Sequence, residues 1–330
     1  MSSLRPLARR IAFYLVAAWV AITVSFFLPR MVPGDPVGAA LVQAMQHGQC
    51  DPACVLAIRN EFGIGTHTAL IVQYLQYLGN LLHGNLGISY FLGSQPVTTL
   101  IATYLPWTIG LLGVATVISF VLGTLIGIVL GWRRGSRLDW VVPGATFFQA
   151  VPYFFLAMVM IELFASILHW FPPEYGYSLT STPGWNGPYI GSIIDHAILP
   201  GATVVLASMA GFMLGMRNQM LTTMDEDFVL VARAKGLPSR RVVWYAARNA
   251  ILPSISNFAI AISLVVAGQI LVEVVFDYPG IGHLLFQAVI NHDYPLVQGL
   301  FVTIVLVVLV ANLIADVVYA FIDPRARQEA

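Results

Sequence analysis

The chain has 330 residues, of which 58% are hydrophobic and only 10% are charged, and its formal net charge at pH 7 is zero. A soluble globular domain carries about a quarter charged residues, so this composition excludes a soluble domain. The neutral overall charge gives no indication of a polyanionic partner, and we expect no nucleic acid to bind. Most of the protein surface must face something other than water.

Six stretches are apolar enough, over a sufficient length, to cross a bilayer, which takes about 20 residues in a helix. The predicted spans are residues 11–29, 103–131, 140–171, 197–217, 250–276 and 295–321. Backbone in lipid must satisfy its own hydrogen bonds, and these runs do not alternate strictly, so helices are predicted rather than strands. The sequence therefore predicts an all-α polytopic membrane protein with six transmembrane helices.

The basic residues indicate how these spans are oriented. When six spans are drawn, only Arg30 and Arg59 fall on the opposite side from all the other Lys and Arg residues. Positive charge stays cytoplasmic, so both termini are expected in the cytoplasm. The first apolar run is followed by Pro29-Arg30-Met31, a poor cleavage site for a signal peptidase, and we expect it to be retained as a span.

These spans divide the chain into four regions. They are a cytoplasmic tail with the first transmembrane helix at 1–29, an extracytoplasmic loop element at 30–102, a five-helix core at 103–321 with a cytoplasmic loop at 218–249, and a cytoplasmic tail at 322–330. Within the outer loop, Asp51-Pro52 starts a predicted helix, and apolar residues at helical spacing predict another over 69–82.

Cysteine and histidine residues lie mostly in the predicted outer segments. Cys50 and Cys54 flank a helix start in an oxidising compartment, and a disulfide between them is feasible because bonded cysteines have Cα atoms about 4.4–6.8 Å apart. The seven histidines are scattered without an HxxxH or HExxH spacing. We therefore predict no metal site.

Small residues recur inside two of the spans. Gly123, Gly127 and Gly131 form one row at four-residue spacing, and Gly211 with Gly215 forms another. Such rows let helix backbones approach closely in lipid. We interpret both rows as packing within the chain in preference to a contact with another subunit.

One acidic residue, Glu162, falls inside the third predicted span. Ionisable groups within a membrane are costly and are candidates for functional residues. A place beside a transport pathway and a local hydrogen-bonding role both remain open for Glu162. The aromatic run Tyr153-Phe154-Phe155 could also line a pathway, although most aromatic residues in spans face lipid or neighbouring helices.

The cytoplasmic segment between spans four and five has a helical pattern of its own. The acidic residues 225–227 suit a helix start, where the helix dipole favours anions, and Gly236 is typical of a helix stop. A second helix is predicted from about Ser239. The residues alone leave two interpretations open, which are a knob that enters a groove on a partner and a hairpin held by anionic lipid.

This segment resembles the EAA loop of the permeases of ABC importers, the element that docks on the nucleotide-binding subunit. The pattern is matched by Ala232, Gly236 and Leu252-Pro253. Leu230 stands where the strict motif has Glu, and that Glu is commonly absent in the dipeptide/oligopeptide branch. The resemblance implies an ATPase-docking coupling helix at Val231, Ala232, Arg233, Ala234, Lys235, Gly236 and Leu237.

Further motifs extend the resemblance over almost the whole chain. Pro33-Gly34-Asp35-Pro36 is similar to the N-terminal signature of that branch, and Asp293-Tyr294-Pro295 is similar to its C-terminal part. Residues 273–282 are similar to the turn at the outer end of the penultimate span. In that turn the residues expected to form an outer gate are Glu273, Pro279, Gly280 and Gly282.

The resemblance implies a type I importer permease in a bacterial inner membrane. Residues 103–321 would be its transport core, forming half of the translocation path together with a second permease subunit. Two ATP-binding subunits would hold ATP and Mg, and an extracytoplasmic binding protein would deliver a di- or oligopeptide, an oligosaccharide, a metal chelate or haem. The only lysine, Lys235, follows Ala234, so the chain has no Walker A Gly-Lys pair, and we expect neither a cofactor nor enzymatic activity here.

Two other classes of membrane protein would require different sequence features. A secondary transporter driven by an ion gradient would require ionisable relays or broken helices at mid-membrane, for which the sequence offers little beyond Glu162. A haem-binding anchor of a redox enzyme would require histidine pairs in facing spans, which are absent from the sequence.

Overall fold

The computed structural model describes residues 4–31, 69–93, 95–265 and 270–322, and almost all its regular structure is helical. In chain order the elements are α1 (Leu4–Met31), α2 (Leu70–Leu82), β1 (Ile88–Ser89), β2 (Gln95–Pro96), α3 (Val97–Trp132), a 3₁₀ turn (Arg137–Trp140), α4 (Val141–Ala150), α5 (Tyr153–Met160), a π-helical segment (Ile161–Ile167), α6 (Gly187–Met224), α7 (Asp227–Ala234), α8 (Ser239–Ser263), α9 (Ile270–Val275), α10 (Ile281–Ile290) and α11 (Tyr294–Ile322). The antiparallel pair β1–β2 is an addition to the all-α fold that the sequence predicts.

Helices α3 and α6 pack side by side along the first glycine row. A Cβ on Gly123 would lie 2.7 Å from the Met209 carbonyl oxygen, and one on Gly127 would lie 2.6 Å from that of Met213. A Cβ on Gly131 would collide with Met220 Cβ. The glycines therefore allow the two backbones to touch, which confirms the predicted packing within the chain. Because the residue numbers rise together on both helices, α3 and α6 run in the same direction.

The third predicted span is not a straight helix. The segments Arg137–Ala150 and Tyr153–Ile167 meet at a bend of 102°. Pro152 lacks a backbone N–H and clashes with a preceding helical turn, and the residue before a proline favours extended backbone. Val151 accordingly has ψ of 125°, and the chain resumes as α5 only after Pro152.

Helix α8 is longer than expected and lies antiparallel to α6. The predicted cytoplasmic helix from Ser239 and the predicted span from residue 250 form one continuous helix up to Ser263. Ser254 Oγ lies 3.6 Å from Met216 Sδ, and further along, the rings of Phe258 and Phe212 meet at 6.5 Å.

The number of long apolar helices differs from the six predicted spans. Among the described residues, four helices are long and apolar enough to cross a membrane, or five when the bent pair is counted as one span. They are Arg9–Phe27, Val97–Trp132, Gly187–Met224 and Tyr294–Ile314, with the pair Arg137–Ala150 and Tyr153–Ile167. The predicted span 250–276 is not among them, since it is divided between the polar-ended α8 and the six-residue α9.

Helices α1 and α2 pack against each other. Helix α2 confirms the helix predicted over 69–82, and its Tyr74 hydroxyl lies 2.7 Å from Thr23 Oγ1 on α1. Phe26 of α1 packs against the rings of Tyr74 and Tyr77. Cys50 and Cys54, with the helix predicted to start at Asp51, lie outside the described residues, so their disulfide stays a prediction.

Candidate docking helix, outer turn and membrane cavity

Helix α7 is the short helix that the acidic start and Gly236 predict. It begins at Asp227, and it closes with two hydrogen bonds, from Gly236 N–H to the Arg233 carbonyl at 2.9 Å and from Leu237 N–H to the Ala232 carbonyl at 3.3 Å. This pair of bonds is a Schellman motif, which requires a left-handed residue just past the helix. Gly236 supplies it with φ of +75°.

One face of α7 is anchored on a methionine cluster of its own chain. Val229 is fully buried and Ala232 is only 7% exposed. The methionine cluster consists of Met216, Met220 and Met224 of α6 with Val242, Ala246, Ala247 and Ala250 of α8. The small Ala232 side chain therefore packs inward against α6 and α8. A knob that enters a groove on a partner would require this side chain to face outward, and it does not.

The opposite face of α7 is exposed and partly apolar. Phe228 and Val231 are 41% and 52% exposed, and Ala234, Lys235 and Gly236 are exposed as well. The Arg233 guanidinium lies 5.7 Å from the ring centroid of Trp132 at the end of α3. The helix is thus fixed on one side and presents an apolar surface with a basic edge on the other.

The buried Glu273 carboxylate organises the predicted outer turn. Thr108 Oγ1 of α3 donates to Glu273 Oε1 at 2.7 Å, and Gly282 N–H donates to Oε2 at 2.6 Å. The His283 N–H is also directed at Oε2, at 3.3 Å. These N–H groups belong to the first turn of α10, where the helix dipole favours a negative charge. Glu273 therefore acts as a cap for α10 from a different helix.

The predicted gate residues Pro279, Gly280 and Gly282 lie around this carboxylate. A Cβ on Gly280 would collide with the Glu273 carboxylate, and one on Gly282 would lie 2.7 Å from Ile270 Cα. Pro279 packs against Gly176, which lies between the π-helical segment and α6. A Cβ on Gly176 would lie 2.7 Å from the ring of Pro279. The structure thus brings the four predicted residues together in one tightly packed turn.

Asp293 is a second buried carboxylate, whose burial and partners its place in the Asp293-Tyr294-Pro295 motif did not predict. Its Oδ2 accepts hydrogen bonds from Ser89 Oγ at 2.6 Å and Phe91 N–H at 3.0 Å, and its Oδ1 accepts one from Leu296 N–H at 3.2 Å. Burial raises the pKa of the Asp293 carboxyl, although these hydrogen bonds act to lower it. Asp293 therefore caps α11 and ties it to the turn after β1. An Asp just before a helix start is the signal that could have identified it.

A cavity of about 300 Å³ with a mixed polar and apolar lining lies between α4, α5, α6 and α8. Its polar lining includes Gln149, Tyr153, Ser208, Ser254 and Asn257. The second glycine row also lines it, and a Cβ on Gly215 would meet nothing within 4 Å. The interpretation of Gly211 and Gly215 as close packing is therefore wrong, since they border open space. Apart from Tyr153, the sequence analysis missed the polar residues here, although amides inside apolar spans were a usable signal.

Glu162 does not contribute to this cavity. It lies in the π-helical segment after α5, and its side chain is exposed. π-Helical segments are rare and occur often at functional sites. Among the described residues, no group of three or more His, Cys, Asp or Glu side chains could hold a metal ion.

Long apolar helices whose apolar side chains are exposed define a polytopic membrane protein. Residues 123–328 match the family model described as "Binding-protein-dependent transport system inner membrane component". The chain belongs to this family, which makes it an integral membrane transport subunit rather than an enzyme. Membership implies an ATPase and a solute-binding protein as partners.

Several curated proteins are similar to the chain over nearly its whole length. The oligopeptide transport system permease protein AppB of Bacillus subtilis is 33% identical, over 91% of this chain and 92% of its own. A putative peptide transport system permease protein of Brucella abortus is 33% identical over 97% and 98%. The di/tripeptide transport system permease protein DppB of Pseudomonas aeruginosa is 31% identical over 98% of both chains. The resemblance to the dipeptide/oligopeptide branch is confirmed.

Proposed function

We propose that the chain is one half of the transmembrane path of an ATP-driven peptide importer. It pairs with a second permease subunit, two ATP-binding subunits hold ATP and Mg, and an extracytoplasmic binding protein delivers di- or oligopeptides. The peptide assignment is supported by the relatives, which are named as peptide permeases. The family assignment removes the ion-driven secondary transporter as a competing class.

We further propose six spans in the type I importer fold, with both termini cytoplasmic. The parallel packing of α3 and α6 supports this topology, since two helices that run in the same direction require the chain to cross the membrane once between them. Residues 133–186 contain only the bent pair as a candidate for that crossing. The bent pair then counts as one span, and α8 with α9 supplies the return after α6.

In this topology α7 lies on the cytoplasmic side and is the element on which the ATPase docks. The observation that carries this proposal is the two-sided environment of α7. Val229 and Ala232 hold it on the methionine cluster, while Phe228 and Val231 stay exposed. Exposed apolar residues grouped on a short helix in the aqueous phase indicate a protein contact. Movement of the ATPases would be transmitted through the methionine cluster to α6 and α8.

The docking surface is tested with the double variant Val231→Glu, Ala234→Glu. Both positions are exposed, so the charges change the outer face of α7 without entering the methionine cluster. The tagged permease is solubilised from its native membrane in mild detergent, and co-purified proteins are identified by mass spectrometry. We expect the wild type to retain an ATPase and the double variant to lose it.

The double variant Leu179→Glu, Thr182→Glu is the matched control, since it introduces the same two charges at exposed residues of segment 168–186, which the proposed topology places outside the cytoplasm. It should retain the ATPase at the wild-type level. Equal recovery of the ATPase with the double variant would contradict docking through α7. Absence of any ATPase from the wild-type preparation, under conditions that retain other membrane complexes, would contradict the proposed assembly itself.

A further inference from the structure

Two side-chain amides from separate helices converge on the membrane cavity. Gln149 stands at the end of α4, just before the bend, and Asn257 stands in the C-terminal half of α8. Both side chains are exposed, and neither forms a hydrogen bond to another residue in the part of the chain that the structure describes. Each belongs to a predicted span.

Amide groups left without hydrogen-bond partners would be costly in a purely apolar setting. The cavity is therefore not filled by lipid chains. Water or a polar solute must satisfy these groups, because a cavity of this volume is large enough to hold either.

The lining combines uncharged hydrogen-bonding groups with apolar side chains. A carboxamide offers an N–H donor and a carbonyl acceptor, which are the same two groups that a peptide bond presents. Ser208 adds a hydroxyl, and the Tyr153 hydroxyl lies 3.5 Å from it. Among the described residues that line the cavity, none is ionisable at neutral pH.

The shape of the cavity is compatible with an extended backbone. Gly211 and Gly215 form a floor without side chains, and the Gly211 Cβ position is 3.8 Å from Gln149 Nε2. Phe212, which packs edge-to-face on Phe120 with ring centroids at 5.5 Å, forms an apolar wall. A side chain at either glycine would occupy the space in front of the amides.

We propose that Gln149, Ser208 and Asn257 contact the solute during its passage and bind its amide groups without selecting the charge of its side chains. This inference rests on the proposed function. It adds which residues contact the solute and which groups of the solute they bind. A permease that binds backbone amides serves peptides of differing sequence with one surface, and leaves discrimination between them to the binding protein.

The test uses the complete complex in proteoliposomes with its binding protein, and measures ATP-dependent uptake of trialanine and of two analogues with Lys or Glu as the first residue. Gln149→Leu and Asn257→Leu should reduce uptake of all three peptides by a similar factor of about fivefold to tenfold. Asn257→Asp should change the ratio of Lys to Glu peptide uptake by at least about fivefold, because it places a charge beside the solute.

Asn249→Leu is the matched control, since Asn249 lies on the same helix but donates to the Tyr245 carbonyl outside the cavity. It should transport as the wild type does, and every variant is checked for retention of the ATPase. Wild-type rates in the Leu variants, or an unchanged ratio in Asn257→Asp, would overturn the inference while the proposed function stands. If the wild-type complex takes up none of the peptides, the peptide assignment fails and the inference fails with it.

Discussion

At the scale of single residues, two buried carboxylates fix the N-terminal ends of α10 and α11. Glu273 and Asp293 are both nearly inaccessible to solvent. Each accepts hydrogen bonds from the first turn of a helix and from a hydroxyl elsewhere in the chain, Thr108 in one case and Ser89 in the other. A carboxylate has enough lone pairs to join several donors, so each one connects elements that are distant in sequence.

Replacement of Glu273 by Ala should destabilise the outer turn. The Thr108 hydroxyl and the Gly282 N–H would lose their acceptor in a buried site, at a cost of about 1–3 kcal/mol for each group. We expect the midpoint of thermal unfolding in detergent to fall by at least about 5 °C. Glu162→Ala, at an exposed glutamate, is the control and should leave the midpoint nearly unchanged. Equal midpoints for the two variants would show that the Glu273 contacts contribute little.

Asp293 should make the outer region sensitive to pH. Burial raises the pKa of its carboxyl in the folded protein. A group with a raised folded-state pKa contributes stability below its unfolded pKa and loses that contribution as the pH rises through the folded pKa. The unfolding midpoint of the wild type, relative to that of Asp293→Asn, should therefore decrease from about pH 4 to about pH 8. Asp195→Asn, at an exposed position, should give no such trend. If the difference in unfolding midpoint between the wild type and Asp293→Asn does not change with pH, the effect is refuted.

At the scale of elements, the contact between α3 and α6 forms the centre of the fold. The contact depends on Gly123, Gly127 and Gly131, because any side chain there would meet the backbone or a methionine of α6. In lipid, where apolar burial gives no net advantage to helix association, such close backbone contacts provide dispersion energy. The bend at Pro152 is the second element-scale feature, since it places Gln149 beside α6 and opens the cavity.

Gly127→Val should separate α3 from α6. The new side chain would have to displace the Met213 carbonyl, 2.6 Å from the Cβ position, and overpacking of this kind costs about 1–3 kcal/mol. We expect a lower unfolding midpoint and a lower yield of the assembled complex. Gly113→Val on the same helix has nothing within 4 Å of its Cβ position and is the control. A similar loss in both variants would point to the helix itself rather than to the contact.

At the scale of the whole molecule, different functions lie at different depths. The proposed docking surface of α7 is at the proposed cytoplasmic end, and the turns held by Glu273 and Asp293 are at the proposed outer end. The cavity lies between them, bordered by α6 and α8, the same helices that hold α7 through the methionine cluster. A movement of α7 is therefore expected to change the shape of the cavity directly.

The proposed topology predicts which loops are accessible from outside the cell. Cysteine is introduced either at Thr182, in the segment before α6 that is proposed to lie outside, or at Ser239, at the start of α8. Both positions are exposed, and Cys50 and Cys54 are replaced by Ser in both variants. A membrane-impermeant maleimide applied to spheroplasts should label the Thr182→Cys variant and leave the Ser239→Cys variant unlabelled. Permeabilised cells should show labelling of both. Labelling of both variants in intact spheroplasts would contradict the crossing by α6, which separates the two positions, and with it the proposed topology.

Local patterns were sufficient for much of the fold. The apolar runs predicted the helices because lipid leaves the backbone no other way to satisfy its hydrogen bonds. Gly236 predicted the end of α7 because only a residue that tolerates positive φ closes a Schellman motif without strain. The inward side of Ala232 could not be predicted, since a short helix between two others has two candidate faces and the sequence does not say which one is covered.

The sequence by itself determined the membrane character, most of the helices, the family motifs and the short helix α7, since these depend on composition and on near neighbours in the chain. The tertiary structure decided which glycines pack and which border a cavity, because the two rows look alike in sequence and differ only in what faces them. It likewise decided the partners of Glu273 and Asp293. Those partners are up to about 200 residues away in sequence, and such contacts form only when separate helices are brought together.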